Sequence, residues 1–119
     1  MAGGRVRPEE MSVYGPTAIA QFEKLWFDVA VIGTSGITAD GFFDYSFEDT
    51  DLKHVYLRRS GVRILLCDSA KFQRMSLVKV GALSEINVLV TEAEPPPRLV
   101  AALAAAGVDV RVVPPSPGP

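Results

Sequence analysis

A chain of 119 residues is long enough for one domain and short for two. Hydrophobic residues make up 48% of it and charged residues 22%, which argues against disorder throughout, and the net charge of −2 argues against a basic face for DNA or RNA. No apolar run approaches the roughly 18–20 residues of a membrane helix, and residues 1–8 lack the apolar segment of a secretory signal. A single His and a single Cys exclude a Cys/His zinc site within one chain, and the lone Cys67 is typical of a reducing cytoplasm.

Two segments precede the main pattern. Residues 5–7 and 11–14 are predicted to form a short hairpin. Pro16 suits the first position of a helix, because its missing N–H has no intrahelical partner there. The apolar face of this predicted helix consists of Ile19, Phe22 and Trp26.

The next segments alternate between strand-like and helix-like patterns. Residues 27–32 are apolar and rich in Val, so they predict a buried strand, and residues 33–41 are predicted to be a loop of small and polar residues. Ser46, with an acidic residue three positions on, is typical of a capping box, and its helix is predicted to run to about Ser60. Gly61 then suits the left-handed position after a helix.

The remainder of the chain continues this alternation. One helix is predicted between Pro97 and Gly107. The predicted strands are residues 62–67, a short segment at 76–80, and residues 86–91 and 108–113. This order predicts an α/β fold with a mostly parallel sheet and flanking helices, followed by a disordered Pro-rich tail at residues 114–119.

Ligands of an open parallel sheet bind at the C-terminal ends of its strands, which directs attention to two loops. The first loop reads Gly33-Thr34-Ser35-Gly36. Its glycines allow close approach of the backbone, and its hydroxyl and N–H groups can receive a phosphate or sugar oxygen. The motif is neither a dinucleotide fingerprint nor a Walker loop, so a plain turn out of a buried strand is the alternative.

The second loop, residues 67–72, also follows a predicted buried strand. Asp68 can accept hydrogen bonds from sugar hydroxyls, Ser69 adds a hydroxyl, and Lys71 is a compact charge suited to a phosphate. The alternative makes Asp68 a cap or turn residue and Lys71 a solvated side chain.

The start of the predicted helix at residues 46–60 carries further charged residues. Asp51 and Lys53 are two positions apart and so point to different sides. Acidic residues in a first turn also favour the helix dipole, so a helix start without a ligand is the simpler interpretation. His54 is expected on the surface, and Cys67 is expected to be an inert core thiol.

Several short motifs follow one another in a fixed order. They are Gly3-Gly4-Arg5-Val6-Arg7, Tyr14-Gly15-Pro16, residues 27–37, Asp51-Leu52-Lys53, Asp68-Ser69-Ala70-Lys71-Phe72, residues 83–87 and Leu89-Val90-Thr91. In this order the chain resembles the C-terminal effector-sensing domain of DeoR-type bacterial transcription regulators, from Gly3 to Val113. The most specific pair is the G-x-x-G-I loop followed by D-S-x-K-F.

The resemblance implies a Rossmann-like fold similar to sugar-phosphate isomerases. It also implies a phosphorylated sugar effector that alters DNA binding by a separate helix-turn-helix domain, in regulators and repressors of carbohydrate catabolism. The ligand-binding positions it implies are Gly33, Thr34, Ser35, Gly36, Asp51, Lys53, Asp68, Ser69, Lys71 and Phe72. Where the family often has Ala-Asp between the two glycines, this chain has Thr34-Ser35, which removes one acceptor for sugar hydroxyls.

The resemblance further implies that residues 1–113 are part of a sensor that begins before this chain. The helix-turn-helix, a D-S-G-T-T phosphate loop and about two strands of the family's sheet are missing from these 119 residues. We therefore expect a fragment of a longer protein, a truncated gene product, or a chain whose partner supplies the rest.

Two other functions stay open at the level of sequence. An isomerase-like enzyme would use Asp68, Glu48 and Lys71 as acid, base and phosphate-binding groups, but no paired acid and base is evident. In the other alternative, the chain binds no ligand and serves only in assembly. An open strand edge of its sheet would then pair with another chain. We favour a cytoplasmic, non-enzymatic homo-oligomer that binds no cofactor, metal or membrane.

Overall fold

The computed structural model describes residues 25–114 and, as backbone alone, residues 5–7 and 12–14. In chain order the elements are β1 (Arg5–Arg7), β2 (Ser12–Tyr14), β3 (Phe27–Gly33), β4 (Gly36–Thr38), β5 (Gly41–Asp44), α1 (Phe47–Arg58), β6 (Ser60–Leu66), β7 (Val78–Gly81), β8 (Val88–Thr91), α2 (Pro97–Ala105) and β9 (Asp109–Val112). The antiparallel pairing of β1 with β2 confirms the predicted hairpin. The predicted helix with Ile19 and Phe22 lies outside the described residues, as do tail residues 115–119.

Four strands form a parallel sheet in the order β3-β6-β8-β9, which confirms the predicted α/β class. Side chains on one face of this sheet are buried under α1 and α2, and Ile32, Leu65 and Leu89 form the centre of the core there. Leu57 from α1 and Leu103 from α2 complete that cluster. Both helices therefore pack on the same face.

The opposite face of the parallel sheet is open among the described residues. Val29 and Val31 on β3 are 51% and 55% exposed, and Val62 and Leu66 on β6 are 40% and 47% exposed. Parallel sheets are normally covered on both faces, which is why their strands are apolar throughout. The sequence of these strands thus suits a sheet with a second covering layer.

Helix α1 starts where the sequence predicted and ends earlier. The Ser46 hydroxyl accepts a hydrogen bond from the Asp49 amide at 3.3 Å, which is the serine half of a capping box. The helix ends at Arg58, with the Arg59 amide donating to the Val55 carbonyl. The prediction for Gly61 was wrong, because the chain passes directly into β6 and Gly61 is an extended strand residue.

The second helix and its ends agree with the prediction. Pro97 opens α2, and Leu99 and Leu103 are its buried residues. Gly107 adopts a φ of +78°, a left-handed conformation that a glycine reaches without steric cost. This turn leads the chain into β9 at the edge of the sheet.

The predicted loop at residues 33–41 was wrong for most of its length. Residues 36–38 form β4, and Gly41 begins β5, in a second, antiparallel sheet ordered β4-β5-β7. A two-residue turn joins the two strands, and Gly41 at φ +145° lies so close to the Gly81 carbonyl that a side chain would not fit. The predicted short strand at residues 76–80 is confirmed as β7, starting at Val78.

Candidate functional site

The two loops that the sequence singled out lie side by side. Gly33 and Leu66 are paired at the C-terminal ends of β3 and β6, so the segments that follow them leave the same edge of the sheet. Farther along, Ile37 forms a bridge with Phe72, and the Gln73 amide donates to the Ile37 carbonyl at 2.8 Å. The parallel sheet therefore brings the Gly33-Thr34-Ser35-Gly36 loop next to the Asp68–Phe72 segment.

The polar groups of the first loop are directed into the protein. The Thr34 hydroxyl lies 2.8 Å from the Gly36 carbonyl and 3.0 Å from the Phe43 carbonyl, and it has one proton to share between them. The Ser35 hydroxyl donates to Asp44 Oδ1 at 3.0 Å, and the Ser35 amide donates to Phe43 at 2.8 Å. These internal hydrogen bonds favour the alternative interpretation of the motif, a turn that leads out of a buried strand.

A buried ion pair fixes this turn to helix α1. Asp44, at the end of β5, is 5% exposed. Lys53 Nζ lies 2.5 Å from Asp44 Oδ2 and donates to the Gly33 carbonyl at 2.8 Å. Lys53 thus connects helix α1 to the loop through Asp44 and the Gly33 carbonyl, whereas Asp51 on the same helix is exposed. Asp44 was not predicted from the sequence, because nothing near it marks its partner nine residues away.

The second loop is organised by two carboxylates. Asp68 caps the 3₁₀ turn Ser69–Lys71, with Oδ1 accepting from the Ala70 amide at 2.9 Å. Glu92, directly after β8, accepts from the Ser69 amide at 2.5 Å and from the Ser69 hydroxyl at 2.7 Å. These hydrogen bonds from Ser69 hold the pKa of Glu92 below its usual value. Glu92 was missed in the sequence, although an acidic residue right after a predicted strand was the available signal.

Lys71 differs from the other polar residues of these loops. It is half-buried, and its ammonium group forms no hydrogen bond or ion pair with any residue in the described part of the chain. Phe72 next to it packs against the hydrophobic core through its ring. Lys71 therefore presents an ammonium group at the edge of the sheet, while Phe72 anchors the loop.

A cleft of about 380 Å³ opens at the C-terminal ends of β6 and β8. Its lining consists of Leu66, Cys67, Asp68, Val90, Thr91, Glu92 and Val113. The cleft is shallow and open to solvent over most of its surface. Burial, with Asp68 as the next cause, raises the pKa of Cys67 to about 12, so the thiol is protonated at neutral pH and inert.

His54 does not lie free on the surface, so that prediction was wrong. Its ring is half-buried against β7, with Nε2 2.6 Å from the Val80 carbonyl oxygen. Helix α1 packs on β7, which turns this side chain inward. Within residues 25–114, no group of three or more His, Cys, Asp or Glu side chains is arranged to hold a metal ion.

Comparison with known proteins assigns this arrangement to a family. The family model for the DeoR C-terminal sensor domain matches residues 1–93. The chain belongs to the DeoR C-terminal sensor domain family. The matched region contains both candidate loops and ends just after Glu92, which confirms the resemblance drawn from the motifs.

Individual members of this family are similar over most of the sensor chain. The glycerol-3-phosphate regulon repressor of Escherichia coli K12 is 27% identical over 97 residues, 81% of this chain and 38% of the repressor. The transcriptional repressor GlcR of Bacillus subtilis is 28% identical over 95 residues, 80% of this chain and 37% of GlcR. The L-fucose operon activator of E. coli K12 is 26% identical over 92 residues, 76% of this chain and 38% of the activator.

The DeoR sensor chain thus spans less than two fifths of the length of the relatives just described. Each of them bears the name of a repressor or an activator, and none bears the name of an enzyme. In the described part of the chain, no helix is long and apolar enough to cross a bilayer.

Proposed function

We propose that this DeoR sensor domain binds a phosphorylated sugar or polyol as its effector. The observation that carries the proposal is Lys71, an ammonium group without a partner among the described residues, at the edge where the two loops meet. A phosphate oxygen is a strong acceptor for such a group. The name of the E. coli relative, a glycerol-3-phosphate regulon repressor, points to the same class of ligand.

The cleft at the ends of β6 and β8, whose lining includes Asp68 three residues before Lys71, suits the hydroxyl-bearing part of such a ligand. Asp68 lines it, and one carboxylate oxygen of Asp68 already accepts from Ala70, which leaves the other for a sugar hydroxyl. Glu92 also lines it, and its lowered pKa favours the ionised carboxylate further. In this arrangement the phosphate contacts Lys71 and the hydroxyls contact the two carboxylates.

The two loops differ in the role we assign to them. The Gly33-Thr34-Ser35-Gly36 loop lies beside the second loop rather than in the lining of the cleft, its hydroxyls are held by internal hydrogen bonds, and Lys53 stabilises it through Asp44. Ser69 positions the 3₁₀ turn through Glu92, and Phe72 anchors its end in the core. Asp51 lies on the outward side of α1 and takes no part in this proposal.

We further propose that the domain is a non-enzymatic sensor with a Rossmann-like sheet, and that effector binding alters DNA binding by a helix-turn-helix domain that these 119 residues do not include. We assign this sensor to a cytoplasmic regulator. The relatives named above are transcription regulators, which favours a sensor over an isomerase-like enzyme. Asp68 and Glu92 both accept hydrogen bonds that organise their own loop, so we assign them ligand-binding and positioning roles rather than acid–base catalysis.

The test is a titration of the 119-residue chain with glycerol 3-phosphate and a panel of hexose phosphates, followed by amide NMR. We expect shifts at residues 33–37 and 68–72, and none with the unphosphorylated counterparts. The Lys71→Gln variant should bind on the order of 10–100-fold more weakly, because it loses a charge-assisted hydrogen bond. Lys79→Gln, at an exposed lysine of β7, is the matched control. Equal affinity of Lys71→Gln and the unaltered chain would contradict the proposal.

A further inference from the structure

The cleft at the ends of β6 and β8 has an apolar wall in addition to its two carboxylates. Leu66 and Val113 are 47% and 57% exposed there, and Val90 is half-buried. The register pairs Leu66 with Val90, so the two side chains lie side by side on the open face of the sheet. The Val113 amide donates to the Thr91 carbonyl at 2.7 Å, which fixes Val113 directly after β9. We call Leu66, Val90 and Val113 the aliphatic wall.

The charged groups that line this cleft are of one sign. Asp68 and Glu92 are carboxylates, and no Lys, Arg or His is found among the described residues of the lining. The Cys67 thiol adds no charge, because burial raises its pKa to about 12. A phosphate on the ligand is therefore held outside the lining, by Lys71. A second anionic group that entered the cleft would be repelled by the two carboxylates.

The order of the strands sets the direction in which a ligand lies. Lys71 is in the loop that follows β6, Glu92 follows β8, and Val113 follows β9. Neighbouring strands lie about 5 Å apart, so two spacings place Val113 about 10 Å across the sheet from the end of β6. When Lys71 holds the phosphate of a hexose phosphate, the carbon farthest from the phosphate is the part that reaches Val113.

The aliphatic wall favours a methyl group at that carbon over a hydroxyl group. A hydroxyl placed against the wall would lose its hydrogen bonds to water and gain none in return, whereas a methyl group loses none. A second layer of protein is another way to cover the wall. Such a layer would also remove the carboxylates of Asp68 and Glu92 from water, which costs free energy unless new donors replace it. A small ligand with hydroxyls on one side and a methyl group on the other satisfies both halves of the cleft.

We propose that the cleft selects a sugar monophosphate in which the carbon farthest from the phosphate is a methyl group, as in a 6-deoxyhexose 1-phosphate. This inference rests on the proposed function, since it takes the phosphate to be held by Lys71. Val113 is then a specificity-determining residue for the effector. Asp68 and Glu92 act against competitors that carry a second phosphate or a carboxylate at the far end.

Calorimetric titration of the 119-residue chain with matched ligands tests this selection. Each pair consists of a hexose 1-phosphate and its 6-deoxy counterpart, in the gluco and the galacto series, and differs in one hydroxyl. We expect the 6-deoxy member of the series that binds to be on the order of 10-fold tighter, a modest ratio because the cleft is open to solvent. Glucose 1,6-bisphosphate should bind more weakly than glucose 1-phosphate, because its second phosphate meets two carboxylates.

The outcomes of this titration separate the inference from the proposed function. Equal affinities within both pairs, or tightest binding of the bisphosphate, overturn the inference and leave the proposed function intact. The same holds if glycerol 3-phosphate binds and none of the hexose 1-phosphates does. If no sugar or polyol phosphate binds at all, both the inference and the proposed function are refuted.

The Val113→Thr variant tests the aliphatic wall itself. It adds a hydroxyl with little change of shape at an exposed position, so folding should be unaffected. We expect the preference for the 6-deoxy ligand to fall to about 2-fold or less. Val29→Thr is the matched control, because Val29 is 51% exposed on β3 and lies outside the cleft, and it should keep the full preference. An unchanged preference in Val113→Thr, or an equal loss in Val29→Thr, overturns the assignment.

The Asp68→Asn variant tests the electrostatic part of the selection. Asparagine can still cap the turn Ser69–Lys71 through its side-chain oxygen, but it removes one of the two negative charges. The affinity for glucose 1,6-bisphosphate relative to glucose 1-phosphate should therefore rise on the order of 10-fold. A ratio that does not change would show that the carboxylates do not face the far end of the ligand, and it would overturn this part of the proposal.

Discussion

The ion pair between Lys53 and Asp44 makes a sharp prediction about stability. Replacing Lys53 with Met removes the 2.5 Å partner of a carboxylate that is 5% exposed and the 2.8 Å donor to the Gly33 carbonyl. Removing one member of a buried pair costs about 3–5 kcal/mol. The Lys53 side chain is 19% exposed, and Ser35 still donates to Asp44, so we expect about 3 kcal/mol, at the lower end of that range.

Urea unfolding of the Lys53→Met variant, followed by circular dichroism, measures this loss. At a typical slope for a small domain, the midpoint should fall by on the order of 1–2 M. Arg98→Met, at an exposed cation of α2, is the matched control and should change the unfolding free energy by less than about 0.5 kcal/mol.

A double-mutant cycle then separates the ion pair from the lysine itself. The variant that combines Lys53→Met with Asp44→Asn should be more stable than the sum of the two single changes predicts, by about 1.5 kcal/mol, because no unpaired carboxylate remains buried. Equal midpoints for Lys53→Met and Arg98→Met, or a strictly additive cycle, would refute the view that this pair holds the first loop.

Three further predictions concern single residues. Gly36→Ala should destabilise the domain by about 1–3 kcal/mol, because a Cβ there would lie 2.3 Å from the Arg74 carbonyl oxygen, whereas Gly33→Ala meets no atom within 4 Å and is the control for thermal unfolding. Because the pKa of Glu92 is lowered in the folded state, its contribution to stability is complete above the ordinary glutamate pKa and is lost as the pH falls through the lowered value. Urea midpoints of the unaltered chain and of Glu92→Gln should therefore differ at pH 7 and converge toward pH 3, and a constant difference would contradict this. Cys67, with a pKa of about 12, should resist iodoacetamide at pH 8 in the folded chain and react in denaturant, and equal rates would show that it is exposed.

The sequence predicted the parallel sheet because its strands are apolar on both sides. Residues 27–33 and 60–66 are rich in Val, Ile and Leu, and the helices between strands carry a capping serine or a proline at their starts. These are local signals. The strands β4 and β5 were not predicted, since they are three and four residues long and contain glycines at their starts. In addition, β5 pairs with β7, which lies more than thirty residues away in the chain.

The candidate site shows the same division between local and distant signals. Asp68 and Ser69 were found because their motif is contiguous, and the cap that Asp68 forms is local. Asp44 and Glu92 were not found, because their roles depend on Lys53 and Ser69, nine and 23 residues away in the chain. The parallel pairing of β6 with β8 brings Ser69 to Glu92, and the packing of α1 on β5 brings Lys53 to Asp44.

The internal hydrogen bonds of the two loops have a consequence for ligand recognition. Thr34, Ser35 and Ser69 match the family motif by residue type, yet their hydroxyls all donate within the protein. A hydroxyl that is already bonded changes the free energy of ligand binding less than a free ammonium does, because its bond must first be broken. The discrimination between a phosphorylated and an unphosphorylated effector should therefore rest on Lys71, and the shape of the site on the bonds that hold the serines in place.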